Sequence, residues 1–529
     1  MDVAGLVLLK PDSFCLLRAG QGPLFYFLPT CLTELMSHKE LTYLSASEAL
    51  GLFRSRKLSP VELLDAILQR SEDISPLINP FADCYFDEAR AAARSAELEY
   101  VKPRGSPGHL LGVPLAVKDA VEITGKRSTS GSLLNREHVS QSTAPHIDRL
   151  LKAGANLFAR TTCPEFCWLF TTHSKMWGVT RNPWRLDITP GGSSGGSAAA
   201  LAAGATTIAT GSDSTGSIRQ PAAQCGVVAY QAPYGRIPMP GENSFSTFVH
   251  YGPMSRSVGD AALMANIMSG PHPLDHNSLT ETSKIPQNLA GVDNLRIAYS
   301  IDMGFHEVVS DVRRETLIAL KVLADAGALV EELPVDWATE AIRLAHIREE
   351  FMFAPEISTA VRDHPDLVSD YVSELAQTAL SATADEFRLA QRVAGQVWQD
   401  HLGPMFNTFD VLITPTVSSP EVPAENWQKS KLAINGKTVT DTDAPTVTAF
   451  SPVDGFANMV ITDDIVVTFN ESMDTDTIIT SVGTSSCSGA TFMVSTYNDN
   501  FSTTATDCLS MSAVPVASND NKTFTIDTT

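Results

Sequence analysis

The sequence predicts an α/β protein, a mixed central β-sheet covered by helices, with a short all-β segment after it. Three observations carry this. Helix-patterned stretches precede short apolar strands, 147–152 before 156–159 and 308–326 before 328–332, and each helix closes on a glycine, Gly154 or Gly327. Repeated units of that kind build a sheet with helices packed on its faces. Beyond Lys437 the composition turns abruptly to Thr, Ser, Asp and Val, Lys522 is the last basic residue, and about half of the formal net charge of -22 falls there. Strand-like runs follow at Val447 and Phe450, 461–469, 492–497 and 523–526, divided by Asp, Asn, Gly and Ser as in a β-sandwich.

A chain of 529 residues, 43% hydrophobic and 19% charged, is long enough for one large core and a smaller unit beside it. Residues 1–35 read as an extension of uncertain order. Their apolar run at 3–9 meets Lys10-Pro11-Asp12, with neither the basic start nor the small-residue cleavage site of a signal peptide, and Met36 follows directly. From there the signals become regular. Ser45-Ala-Ser-Glu48 and Ser59-Pro-Val-Glu62 both fit a capping box, the second with Pro at the first helical position, so two helices are expected. A third, rich in Ala, Arg and Glu, is expected over 86–100.

The acidic balance excludes several function classes. Nucleic acid and anionic membranes would be repelled by a chain of charge -22 with no segregated basic cluster. No stretch approaches the ~18 consecutive apolar residues of a membrane span. Eight scattered cysteines make no disulfide framework, which with the missing signal points to the cytoplasm. Cys163 and Cys167, four apart, are read as packing residues and not as a redox pair. There is no HExxH, and His272 with His276 has no further ligands in register, so neither metal nor cofactor is expected.

The chemistry concentrates in two stretches. Residues 189–226 read TPGGSSGGSAAALAAGATTIATGSDSTGSIRQPAAQCG, with Gly191, Gly192, Gly195 and Gly196 around Ser193 and Ser194, then a helix of small residues, an apolar strand, and the polar loop ending in Ser217. Two hydroxyls and several unpaired N–H groups can thereby meet at one sheet edge. Upstream, GVPLAVKD ends an apolar strand on Lys118. A lysine placed there must reach water or lose its charge, and in the second case it can serve as a base.

GVPLAVKD, GGSSGGS and GSDSTGSIRQPA strongly resemble the amidase signature family, with CPEF, GVTRNPW and GPMSRSVGDA in the expected order. The resemblance runs over roughly 36–416, within a catalytic domain placed at 36–437. It implies the amidase signature fold, with Ser217 as nucleophile, Ser193 after a cis peptide as the bridging serine and Lys118 as base. It also implies an oxyanion hole from the N–H groups of Ser214, Thr215, Gly216 and Ser217, with Asp213 and Arg219 holding the loop. Thr215 stands where the family usually has glycine, which brings a Cβ to that loop. After 409–416 the chain enters a polar linker instead of the Gly- and Pro-rich segment that returns to the family's sheet, so an incomplete hydrolase domain is expected. In the 438–529 segment, APTVTAFSPVDG and IVVTFNESMD resemble the bacterial immunoglobulin-like repeats, cut short.

The implied activity is hydrolysis of C–N bonds in small-molecule amides or carbamates, with esters as further substrates, by a monomer or homodimer. Phe166, Trp168 and Trp177 could line such a site, though aromatic residues of this kind more often pack in a core. A rival enzyme reading takes Gly191-Gly-Ser193-Ser-Gly195 as the G-x-S-x-G elbow of α/β-hydrolases, but 185–190 is polar and ends in proline where the elbow needs a buried strand. A reading of another class makes the chain a binding or surface module acting through its immunoglobulin-like tail, with an impaired hydrolase attached.

Overall fold

The computed structural model describes residues 38–425, apart from 103–107, 240, 283, 287, 288, 290, 382 and most of 339–356, together with the backbone of short strands between 432 and 526. The expected extension at 1–35 and the strand expected at 492–497 lie outside the described residues. The chain divides into two compact units, Met1–Lys429 and Ser430–Thr529.

The first unit opens with α1 (His38–Thr42), α2 (Ala46–Arg54) and α3 (Pro60–Ile78). Both expected capping boxes are present: Ser45 and Ser59 stand at the N-caps of α2 and α3, answered by Glu48 and Glu62. Strand β1 (Phe81–Cys84) and α4 (Phe86–Val101) follow, then β2 (Pro114–Lys118), α5 (Pro145–Lys152) and β3 (Asn156–Thr161). Gly154 takes φ 95 between α5 and β3, the left-handed closure that glycine adopts without penalty.

The small-residue stretch is α6 (Gly195–Ala202), leading to β4 (Ile208–Asp213), α7 (Arg219–Cys225), β5 (Val228–Ala229), β6 (His250–Ser255) and α8 (Val258–Met268). The six strands form one sheet in the order β1-β3-β2-β4-β6-β5. It is mixed: β2 runs parallel to β3 and β4, while β1, β5 and β6 pair antiparallel to their neighbours. Its core joins Leu63, Leu64 and Ile67 of α3 to Leu115 and Val117 of β2, Leu150 of α5 and Phe158 of β3. Helix α6 is apolar all round and buried from Gly195 to Leu201, as a helix packed on every side must be.

Further along, β7 (Arg296–Tyr299), α9 (Ser310–Asp325), β8 (Leu329–Glu332) and, after α10 (Asp370–Ser381), α11 (Ala384–Val397) and α12 (Gly403–Thr408), β9 (Val411–Ile413) make a parallel three-stranded sheet in the order β8-β7-β9. Ile297, Leu320 and Ala328 form its core. No described helix is long and apolar enough to cross a membrane.

In the second unit, β10 (Leu432–Ile434) pairs antiparallel with β11 (Lys437–Val439). A separate antiparallel sheet is ordered β12 (Val447–Ser451), β13 (Ile465–Phe469), β15 (Thr523–Ile526) and β14 (Val516–Ala517). The hairpin places the start of this unit ahead of residue 438, where the composition changes.

Candidate active site

Strand β2 is buried along its whole length and ends on Lys118, at the carboxyl ends of parallel strands, where open α/β sheets present ligand sites. Register sets Val117 beside Thr210 of β4 and Lys118 beside Thr161 of β3. Lys118 is 0% exposed, and its Nζ donates to Ser193 Oγ at 2.7 Å and to Ser212 Oγ at 2.9 Å. Two neutral hydroxyls thus receive a buried amine that would otherwise be costly to hold. The next residue, Asp119, points its carboxylate elsewhere, accepting from the Thr129 N–H at 3.1 Å and from Trp177 Nε1 at 3.0 Å. Burial raises the Asp119 carboxyl, with the Arg160 charge acting against that rise.

Ser193 follows a cis peptide bond from Gly192, and Ser217 lies just past the end of β4, 7% exposed. The two loops are tied together: the Ser194 N–H donates to Ser217 O at 3.1 Å, and Ser194 Oγ to Ser212 O at 3.2 Å. Glycine is obligatory in the first loop. A Cβ on Gly191, at φ 85, would stand 2.7 Å from Pro221 Cα, and one on Gly192 would stand 2.5 Å from Leu169 O. The Gly192 N–H is held by Gln220 Oε1 at 2.9 Å.

Asp213 organises the second loop. Its buried carboxylate accepts the N–H groups of Gly216 at 2.8 Å, Ile218 at 3.0 Å and Arg219 at 3.3 Å, and Arg219 grips it through Nε at 3.0 Å and Nη2 at 2.8 Å. Burial alone would raise this carboxyl, but the Arg219 guanidinium and the N–H groups of Ile218 and Gly216 outweigh it and hold Asp213 below the usual carboxylate range. Gly216 stands at φ 124, which favours glycine. Of the four donors expected from sequence, the Gly216 N–H is bonded to Asp213 Oδ1 at 2.8 Å. Among the described residues, the N–H groups of Ser214, Thr215 and Ser217 donate to no protein acceptor.

One neighbour of the buried amine escaped the sequence reading. Ser212 lies inside the motif GSDSTGS but carried no separate signal. Its contact with Lys118 comes from the parallel pairing of β2 with β4. Cys167, read as a packing residue, is half-buried. It stands in a turn no periodicity encodes, in which Phe166 at φ 53 and Cys167 at φ 63 both adopt the left-handed region. Of the aromatics, Phe166 and Trp168 pack on the cluster of Leu169, Ile357, Val368 and Tyr371, while Trp177 donates to Asp119. No strand runs directly into Ser193, the nearest one before it being the two-residue strand Gly178–Val179, which leaves the G-x-S-x-G elbow without its support.

Comparison with known proteins points the same way. The amidase family model matches residues 62–483 and a bacterial Ig-like domain model matches 441–529, the two sharing 441–483. An acylamidase of Rhodococcus erythropolis is 33% identical over 402 residues, 75% of this chain and 84% of that relative. A glutamyl-tRNA(Gln) amidotransferase component of Carboxydothermus hydrogenoformans is 35% identical over 299 residues, 56% of this chain and 61% of that protein, so the chain spans less than two thirds of it. Among solved structures, a bacterial aryl acylamidase of the amidase signature enzymes family superposes with a TM-score of 0.68 at 26% identity, covering 75% of this chain and 85% of that one.

Proposed function

This chain belongs to the amidase family, and from that premise we propose that it hydrolyses C–N bonds of small amides, anilides and carbamates through an acyl-enzyme on Ser217. The observation that carries the reading is the buried bond of 2.7 Å from Lys118 Nζ to Ser193 Oγ, in a loop tied to Ser217 by the Ser194 N–H. In the working cycle, Lys118 draws the Ser217 proton by way of the Ser193 hydroxyl as Ser217 Oγ attacks the substrate carbonyl. The oxygen gathers negative charge under the N–H groups of Ser214, Thr215 and Ser217, each worth about 10²- to 10³-fold in rate where it is well aimed. As the C–N bond breaks, the relay returns the proton to the departing amine. Water then repeats the sequence on the ester.

The solved aryl acylamidase supports anilides as the first substrates to try. Small molecules are favoured over a tRNA-linked substrate because a net charge of -22 would repel a polyanion. A panel of nitroanilides, primary amides and aryl carbamates tests the proposal. Wild type turns over at least one class, and Ser217→Ala, Ser193→Ala and Lys118→Ala each lower kcat by about 10⁴-fold or more. Full activity in Ser217→Ala would discard the nucleophile assignment.

A further inference from the structure

The loop that follows β3 carries a buried carboxylate with no part in the relay just described. Glu165 is 0% exposed, its Oε1 accepts from Ser132 Oγ at 2.6 Å, and its Oε2 accepts from the N–H of Ser369, just ahead of α10, at 2.7 Å. Its own N–H donates to Tyr371 Oη at 2.7 Å, and that hydroxyl donates in turn to His173 O at 3.1 Å. The start of α10 thus grips the loop at 165 and again at 173. Between those points Phe166 and Cys167 both stand in the left-handed region, a costly backbone that persists where its surroundings over-determine it. The gripped segment is the one that backs Ser193. Thr172 Oγ1, next to His173, donates to Gly191 O at 2.7 Å, and Leu169 O lies close enough to Gly192 that a Cβ there would stand 2.5 Å from it.

We propose that Glu165 and Tyr371 are positioning residues for hydrolysis: by fixing residues 165–173 onto the start of α10 they set the backbone of Gly191 and Gly192, and through it the place of Ser193 Oγ against Lys118. This rests on the catalytic reading of Lys118 and Ser193. Both residues act through the loop, because their polar atoms are engaged by Ser132, Ser369 and His173. Loss of either grip frees the segment that supports Gly191 and Gly192, and catalytic rate is sensitive to displacements on the scale of 1 Å.

The chemistry of the two grips sorts the variants. A glutamine at 165 can reproduce both side-chain bonds, its Oε1 taking the Ser369 N–H and its Nε2 donating to Ser132 Oγ, because a hydroxyl turns from donor to acceptor. Methionine has a similar length and answers neither, leaving a buried N–H and a buried hydroxyl without partners. Tyr371→Phe removes a single oxygen and so releases the Glu165 N–H and His173 O together, while the ring stays in its apolar cluster with Leu169 and Val372.

The test measures kcat and KM for a nitroanilide in the full chain carrying each change, with the folded fraction taken from circular dichroism so that rates are expressed per folded molecule. The expected result is a kcat lower by about 30-fold in Glu165→Met and about tenfold in Tyr371→Phe, with KM within about twofold, and a kcat within about threefold of wild type in Glu165→Gln. A purely structural role would lower the folded fraction and leave kcat per folded molecule unchanged. Wild-type kcat per folded molecule in Tyr371→Phe, with Ser193→Ala inactive, overturns the proposal whether or not Glu165→Met folds, and leaves the catalytic reading standing. A raised KM at unchanged kcat overturns it too, since it places the pair in substrate binding, as does a Glu165→Gln enzyme no faster than Glu165→Met. Full activity in Ser193→Ala overturns the catalytic reading and takes this inference with it.

Discussion

Asp213 joins the chemistry to the stability of its loop, because one dry carboxylate answers the N–H groups of Gly216, Ile218 and Arg219 and the Arg219 guanidinium as well. The Arg219 side chain is 46% exposed, so solvent screens the ion pair and the backbone donors carry most of the effect. Asp213→Asn leaves those donors poorly answered and is expected to cost about 2 kcal/mol, measured as a lower urea midpoint at neutral pH, with slower turnover because the same bonds place Ser214 to Ser217. The folded-state value of Asp213 lies below its unfolded one, so its contribution is complete above the ordinary carboxylate range and lost as pH falls through the folded value. The gap in midpoint between wild type and Asp213→Asn should therefore close on acidification. A gap that persisted at low pH would assign the stabilisation to something other than the charge. At this scale Lys118, Ser193 and Ser217 were legible because each sits in a long local motif. Ser212 was not, since it reaches the amine through strand register.

Helices show how local signals fare against long-range ones. The boxes at Ser45 and Ser59 could be read directly because both partners lie three residues apart on the same turn, and Thr383 with Glu386 makes a third at the start of α11 that the same rule would have found. Ser59→Ala is expected to cost about 1 kcal/mol in thermal or urea unfolding, with activity unchanged. Strand order could not be read in this way, because β3 entering beside β2 and β6 beside β4 depend on packing between distant segments. Helix α6 makes that dependence measurable. A Cβ on Gly196 would lie 2.5 Å from the Thr162 backbone N and 2.7 Å from Pro80 O, and backbone atoms cannot swing aside as a flexible side chain does. Gly196→Ala is therefore expected to destabilise by about 1–3 kcal/mol in urea titrations despite alanine's better helix propensity. A neutral or stabilising result would mean that α6 is free to shift from the sheet.

The two units are expected to bear differently on activity. Among the described residues, the stretch 421–425 is bonded to the loop that leads into Ser193: Thr189 N–H donates to Val422 O at 2.9 Å, Ala424 N–H to Asp187 O at 3.0 Å, and Arg185 Nη1 to Glu421 Oε1 at 2.9 Å. Thr189 Oγ1 in turn accepts from the Gly191 N–H at 3.1 Å, two residues ahead of Ser193. The residues after β9 thus form a strap that fixes the approach to the site, whereas the hairpin of β10 and β11 and the sheet of β12 to β15 belong to the other compact unit. Shortening the chain at Lys437 should leave kcat/KM for a nitroanilide within about twofold, since the described partners of Lys118 and Ser193 lie in the first compact unit. Shortening it at Pro420 removes the Val422 and Ala424 bonds, and kcat should fall by about tenfold or more because small displacements of catalytic groups are amplified in rate. Circular dichroism of both shortened chains separates loss of the strap from loss of the fold. If the Lys437 chain keeps its secondary structure yet loses activity, the immunoglobulin-like unit contributes to catalysis and the strap does not account for the boundary.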